Sequence, residues 1–245
     1  MKKTLVVGGA NGIGLAIAHK LANNSACEKV YIVDKQPLKS IHQHEKIETY
    51  IFDLTDTDYS FFDNFADIDS LIITAGFGRL SLFKDIEDQH IVDSFNVNTI
   101  SVIRLIKRFY SKIESEKDFY CGVMCSISGF MTSPFFSIYG ATKAALKIFI
   151  ESVNVELEKA GTTNRILNVS PGSIKGTGFY HGETDLDMLN ELSSEIIKAL
   201  DAKCDLYIPQ YEEIYKTVLQ RYHDDFREEG RHSYEYKLKS GRIKM

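Results

Sequence analysis

No stretch of the 245-residue chain approaches the roughly 20 consecutive apolar residues that a membrane-crossing helix needs, so no membrane partner is expected. Charge of one sign is not in excess either. A formal net charge of -5 with 26% charged residues offers no basic surface for nucleic acid. Cysteine is scarce and unpaired: Cys27, Cys121, Cys125 and Cys204 contain no C-x-x-C. Cys121 and Cys125 fall four apart on a predicted strand, on one face but too distant to bridge. No further Cys or His stands near them at ligand spacing, so buried free thiols are expected and no metal site. Repeats, low-complexity tracts and Pro/Gly/Ser linkers are also missing, which argues for one domain over residues 1–245. At the start, Met1–Val7 carries two lysines and a short apolar stretch that Gly8, Gly9 and Asn11 cut off. A secretory signal runs longer, so a cytoplasmic protein is expected.

Short β-branched runs alternate with longer helical segments. Lys3–Val7, Val30–Asp34, Ile47–Phe52, Ser70–Thr74, Cys121–Ser126 and Arg165–Ser170 read as strands. Between them Ile13–Asn23, Glu87–Ile113 and Tyr139–Ala160 read as helices. Continuous apolar runs such as Leu71-Ile72-Ile73 suit strands covered on both faces. The alternation predicts an α/β fold, a doubly wound parallel sheet with helices on both faces. Ligands of such sheets lie at the carboxyl ends of the strands. Residues 205–245 leave this pattern and are expected to form a C-terminal helical extension packed on the rest. Asp205–Pro209 reads as a short strand. Tyr211, Ile214, Tyr215, Val218, Leu219, Tyr222 and Phe226 then fall at helical spacing as one apolar stripe. From Arg231 onward a solvated tail is expected, although Tyr234 and Tyr236 suggest docking.

The segment Gly8-Gly9-Ala10-Asn11-Gly12-Ile13-Gly14 lies between the first strand and the first helix. Glycines there make a tight turn and let backbone approach a pyrophosphate, whose charge the helix N-terminus favours. Asp34 ends the second strand, placed to accept hydrogen bonds from the adenosine ribose. A carboxylate there repels a 2′-phosphate, so NAD(H) is favoured. Lys35 beside it would welcome that phosphate and keeps NADP(H) open.

Tyr139 and Lys143 stand four apart at the start of a helix, where phenol and ammonium share a face. A nearby ammonium lowers a phenol pKa, making it a usable proton donor or acceptor. The pattern alone is weak, because Tyr31 and Lys35 repeat it on a strand. Ser126 adds weight: it ends the preceding strand 13 residues upstream of Tyr139. Ser128 competes for that role at a spacing wrong by two.

Together these motifs resemble the short-chain dehydrogenase/reductase family in its compact, single-domain, Rossmann-type form. Gly8-x-x-x-Gly12-x-Gly14 is similar to its cofactor loop, with Asn11 and Ile13 inside it. Asp53-Leu54 matches its adenine-contacting acid, and Ala75-Gly76 the end of its segment after the fourth strand. Asn98 matches the asparagine of its catalytic tetrad, and Ser126, Tyr139 and Lys143 match the other three. Pro171-Gly172 matches the turn on the nicotinamide side. The resemblance covers residues 3 to 178. It implies an NAD(P)-dependent oxidoreductase that moves a hydride between nicotinamide and a carbonyl or secondary alcohol. Tyr139 would exchange the proton, and Lys143 would lower its pKa and hold the nicotinamide ribose. Ser126 would bond the substrate oxygen, and Asn98 would hold a water leading from Lys143 to solvent. It also implies a homodimer or homotetramer.

Several positions depart from the family. Val7 replaces a threonine, and Ile73-Thr74 replace two asparagines, so altered bracing of the loops is expected. The family's threonine after the turn is expected at Gly176, while this chain has Thr177. The nicotinamide amide would then be held by Thr177 or by main chain at Ile174. The small-molecule substrate would meet residues 77–82, 130–138 and 178–192, the last with His181. Phe130, Met131, Phe135 and Phe136 suggest an apolar pocket or a subunit contact. Two other readings use the same parts: a dinucleotide-binding redox sensor without catalysis, and a sugar-nucleotide epimerase or dehydratase. A sensor is expected to have lost Tyr139 or Lys143, and the epimerases carry a larger substrate domain.

Overall fold

A computed structural model describes residues 1–180, 183–241 and 243. His181 lies outside the described residues. Seven parallel strands run β1 (Lys3–Val7), β2 (Lys29–Asp34), β3 (Ile47–Ile51), β4 (Ser70–Ile73), β5 (Tyr120–Met124), β6 (Ile166–Val169) and β7 (Leu206–Tyr207). Their order across the sheet is β3-β2-β1-β4-β5-β6-β7. β1 pairs with β2 on one side and β4 on the other, Val6 standing between Ile32 and Ile72. The chain therefore winds outward in both directions from the β1/β4 boundary. Such a reversal opens a crevice at the carboxyl ends of the strands.

Alternation along each strand feeds two cores. Leu5 and Val7 join Leu71, Ile73 and Val123 on one face, packed under Leu105, Ile106, Phe109, Leu146 and Ile150. Those side chains come from α3 (Ser101–Ile113) and α4 (Ser137–Lys159). Val6, Ile32, Ile72 and Leu167 face the other way, under Leu15, Ile17, Ala18, Ile196 and Leu200. These belong to α1 (Gly12–Ala22) and α5 (Asn190–Asp201). A sheet covered on both faces needs uninterrupted apolar strands, which accounts for Leu71-Ile72-Ile73.

The strands predicted from sequence recur within a residue or two of the expected bounds. The helices need two corrections. Glu87–Ile113 is not one helix: α2 (Asp88–Phe95) passes through a π turn (Asn96–Ile100) into α3. Ser94 and Ser101 hydroxyls bond back to the carbonyls of His90 and Val97, a local competition that helps loosen the ladder there.

At the C-terminal end the apolar stripe does not form one buried helix. A π turn (Tyr211–Tyr215) leads into α6 (Lys216–Asp224), which buries no residue fully, and Ile214 and Phe226 are exposed. Asp225 then turns extended (φ -151, ψ 98), and its carboxylate accepts from the N–H groups of Arg227 and Glu228 at 2.9 and 3.0 Å. That cap starts α7 (Phe226–Lys239), so the expected solvated tail is helix through Lys239. α7 is anchored by charges. Glu229 is buried against Arg221 at 2.6 Å, and the buried Lys237 ammonium donates to Ser133 Oγ at 2.7 Å and Pro134 O at 2.8 Å. Tyr234 stacks on Phe135 with ring centroids 4.5 Å apart. Phe135 holds φ 67, a strained value for a non-glycine residue, under that stack.

Candidate active site

The carboxyl ends of the central strands border a cleft of about 630 Å³. Gly8, Asn11, Asp34, Lys35, Asp53, Leu54, Ala75 and Gly76 all line it. Gly8 adopts φ +88, and a Cβ on it would lie 2.6 Å from Ala75 Cα. Gly14 permits an equally close approach: a Cβ there would stand 2.5 Å from the Gly8 carbonyl oxygen and closer still to Thr74 Oγ1. Thr74 braces the loop by donating to Gly8 O at 2.9 Å. This is the bracing role that the departures at Val7 and Ile73-Thr74 left open.

Asp34 ties the second strand to this loop. One carboxylate oxygen accepts from Ala10 N at 3.0 Å and the other from Gln36 N at 3.1 Å. Each oxygen keeps acceptor capacity facing the cleft. Asp53 spends one oxygen on the N–H and hydroxyl of Thr55, both at 2.9 Å, and these bonds hold its carboxyl below the usual range. Concave shape, glycine cradle and placed carboxylates fit a dinucleotide.

The segment after β6 closes over the loop. Gly12 N–H donates to Thr184 Oγ1 at 2.7 Å, and Thr177 lies within about 4 Å of where a Gly12 side chain would start. Thr177 donates its hydroxyl to Ile174 O at 2.8 Å, so the two alternatives for holding the nicotinamide amide are bonded to each other. Ile13 and Gly14 follow in the first turn of α1, with Gly14 buried.

Beyond the cleft, α4 and the end of β5 bring the reactive side chains together. Ser126 begins the turn after β5, its Oγ accepting from Ser128 N at 3.1 Å, and it is near enough to Tyr139 to draw that phenol's pKa down. Ser128 instead pairs with Ser133 Oγ at 3.3 Å. Lys143 is buried, donates to Met124 O at 2.8 Å and stands 5.7 Å from the Tyr139 ring centroid. Burial pushes the Tyr139 phenol up to about 12, more than Ser126 lowers it. Burial also pushes Lys143 down. The expectation that the ammonium draws this phenol toward neutrality is therefore not met in this arrangement: burial is the largest influence on both groups, and it is Ser126 that draws the phenol down.

Asn98 sits in the π turn, fully buried. Its amide accepts from Phe77 N at 2.9 Å and donates to Phe77 O at 2.8 Å and Thr142 Oγ1 at 3.2 Å. Both amide protons are thus used, and a water could be held only through an oxygen of this residue. Gly76 keeps Asn98 and Lys143 accessible to each other, since a Cβ there would press on both at 3.2 and 3.3 Å. Pro171 O accepts from Ile127 N at 3.1 Å, which sets the Pro171-Gly172 turn beside Ser126. Phe136 and Phe179 pack on the Tyr139 ring at 5.2 and 5.6 Å between centroids.

Sequence reasoning missed Thr142 and Thr184. Thr142 carries a weak signal, lying next to Lys143. Thr184 carries none, because only the folded chain brings it 172 residues back to Gly12.

Among the described residues, no helix is long and apolar enough to cross a membrane. The family model described as short chain dehydrogenase matches residues 2–185. An uncharacterised oxidoreductase of Staphylococcus epidermidis is 24% identical over 212 residues, spanning 81% of this chain and 90% of that protein. The fold is similar to that of a bulky-bulky ketone specific alcohol dehydrogenase from Comamonas testosteroni. Its TM-score is 0.74 at 23% identity, covering 91% of this chain and 92% of that one. It is likewise similar to ElxO, solved with NADP bound, with a TM-score of 0.69 at 20% identity, covering 86% and 98%.

Proposed function

The chain belongs to the short-chain dehydrogenase family of oxidoreductases, and on that premise we propose that it reduces a small carbonyl substrate with NADH, with Tyr139 as the proton donor. The observation that carries this reading is the Ser126–Tyr139–Lys143 group gathered by the end of β5 and the start of α4, with Gly76 of the cleft lying against the Lys143 ammonium. A bound dinucleotide supplies the hydride.

The residues of the chain do the rest. Tyr139 carries its proton at neutral pH and so has one to give; burial makes the phenol a weaker acid, and the transfer draws on the negative charge gathering at the carbonyl oxygen as the hydride arrives. Ser126 donates to that same oxygen as negative charge gathers on it. The phenolate left behind is stabilised by the Lys143 ammonium behind the ring. Lys143 is held in place by Met124 O, and Asn98 fixes Phe77 and Thr142 around it. Phe136 and Phe179 exclude water from the phenol. Phe77 and Gly76, at the end of β4, connect this centre to the cleft.

On the cofactor side, Gly8, Asn11, Gly12, Ile13 and Gly14 would hold the pyrophosphate. Asp34 would accept from the ribose hydroxyls, and Asp53 with Leu54 would meet the adenine. Ala75, Gly76, Pro171, Gly172 and Ile174 would border the nicotinamide, with Thr177 turned toward the pyrophosphate loop. NADH is preferred in this reading because the Asp34 carboxylate, fixed by two backbone N–H groups, repels a 2′-phosphate. The solved NADP complex of ElxO is that protein's property, and Lys35 is the residue here that would favour the same choice.

The test is Tyr139→Phe, with NADH consumption followed against a panel of ketones and aldehydes. Loss of the proton donor lowers kcat by roughly 100-fold or more, while NADH affinity stays unchanged. Turnover that survives the substitution refutes the mechanism.

A further inference from the structure

The C-terminal extension brings a phenol to the active-site edge that the mechanism above does not use. β7 is parallel to β6, so the chain leaving Tyr207 emerges at the same edge as Pro171-Gly172. Gln210 turns it with a left-handed φ of 58, an uncommon value for a non-glycine residue, and the π turn Tyr211–Tyr215 follows. Both features cost stability and cluster at functional positions. They deliver Tyr215 onto Gly172. A Cβ on Gly172 would lie 2.7 Å from Tyr215 Cζ and closer still to its hydroxyl, so only glycine accommodates the phenol there. The other π turn among the described residues carries Asn98, which neighbours Lys143 at Gly76.

The Tyr215 side chain is partly buried, and burial pushes its phenol up, so it remains a hydrogen-bond donor at neutral pH. Among the described residues its hydroxyl has no hydrogen-bond partner. A partly buried tyrosine usually finds one for its hydroxyl. Gly172 adjoins Pro171, whose carbonyl is bonded to Ile127 N next to Ser126. The unpaired donor therefore stands on the turn that is bonded beside Ser126.

We propose that Tyr215 is a specificity-determining residue that donates a hydrogen bond to a second oxygen on the substrate, a hydroxyl or carbonyl next to the carbon that takes the hydride. This rests on the reductase reading above. A site with a built-in donor discriminates against analogues lacking the acceptor, because the donor is then left unpaired. The substrate class is thus α-hydroxy- and α-dicarbonyl compounds, in preference to plain ketones.

Tyr215→Phe tests this, since phenylalanine keeps the ring against Gly172 and removes only the hydroxyl. NADH consumption is measured with matched pairs, diacetyl against butanone and hydroxyacetone against acetone, for both proteins. A melting curve and an NADH titration accompany them. The expected result is a fall of roughly tenfold in kcat/KM, carried by KM, for the oxygenated member of each pair. The plain ketone, the NADH affinity and the melting midpoint stay unchanged. An equal fall for both members, or no change for either, overturns the role of Tyr215. Absence of NADH or NADPH consumption with every carbonyl, in wild type as in the variant, overturns the reductase reading itself and the proposal with it.

Discussion

Replacing Gly14 by alanine sets two effects of opposite sign against each other. Helix propensity alone favours alanine inside a helix by about 1 kcal/mol. Against this, the new Cβ would stand 2.5 Å from Gly8 O, where ordinary contact begins at 3.4 Å, so the loop has to retreat by most of an ångström. That retreat breaks the 2.9 Å bond from Thr74 to Gly8 O, worth about 0.5–1.5 kcal/mol. Overpacking at a tight backbone contact adds about 1–3 kcal/mol. Net destabilisation of roughly 1–3 kcal/mol follows, and a chain of this size loses about 2–4 °C of melting midpoint per kcal/mol. Because Gly8 lines the cleft, its displacement also weakens NADH binding, by about tenfold or more. Differential scanning fluorimetry gives the first quantity and an NADH titration the second. An unchanged or raised midpoint with NADH affinity intact would show that propensity wins and would refute the close approach.

Asp34→Asn keeps an acceptor for Ala10 N–H but removes the charge. The ratio of NADPH to NADH affinity should rise by about tenfold or more in paired titrations, since charged hydrogen bonds contribute about 1.5–3 kcal/mol. An unchanged ratio would assign cofactor choice elsewhere, with Lys35 the next residue to change. Stability should fall in alkali. Burial raises the Cys121 and Cys125 thiols from 9.0 to about 12, so the unfolded chain releases their protons first and stability is lost as pH climbs above 9. Lys143, pushed down from 10.5, acts in the opposite sense and offsets part of the slope. Denaturant midpoints measured across this range check the sign. Cys121→Ala should flatten the slope, and an identical slope would place its origin in other groups.

The central sheet was legible because its physics is local. Apolar runs covered on both faces, glycines at a strand-to-helix turn and Asp34 at a strand end all announce themselves over a few residues. The bond from Ala10 N to Asp34, which ties that residue to the loop, was not among the expectations. Ser126, Tyr139 and Lys143 were legible as a spacing, and the sequence placed them together without indicating their charge state. Burial sets that state, and burial is a property of the packed chain: the phenol rises to about 12 although an ammonium stands behind it. The split of Glu87–Ile113 was hidden because a π turn keeps helical periodicity with one extra residue. The break at Asp225 was visible, as Asp225 followed three residues later by Glu228 is an N-cap signature. The longer apolar stripe across it concealed the signal. Thr184 and Tyr215 were not legible at all, since each gains its meaning from a residue far away in sequence.

The bond from Lys237 to Ser133 closes a separation of 104 residues. The brace from Thr74 to the β1–α1 loop closes only 66 residues. Loop closure over long separations is slow, and contacts of this kind form late. Parts of the site therefore mature at different times during folding. The brace from Thr74 belongs to the early contacts, while the rim at residues 132–136, held by the last helix, and the Gly12–Thr184 bond across 172 residues belong to the late ones.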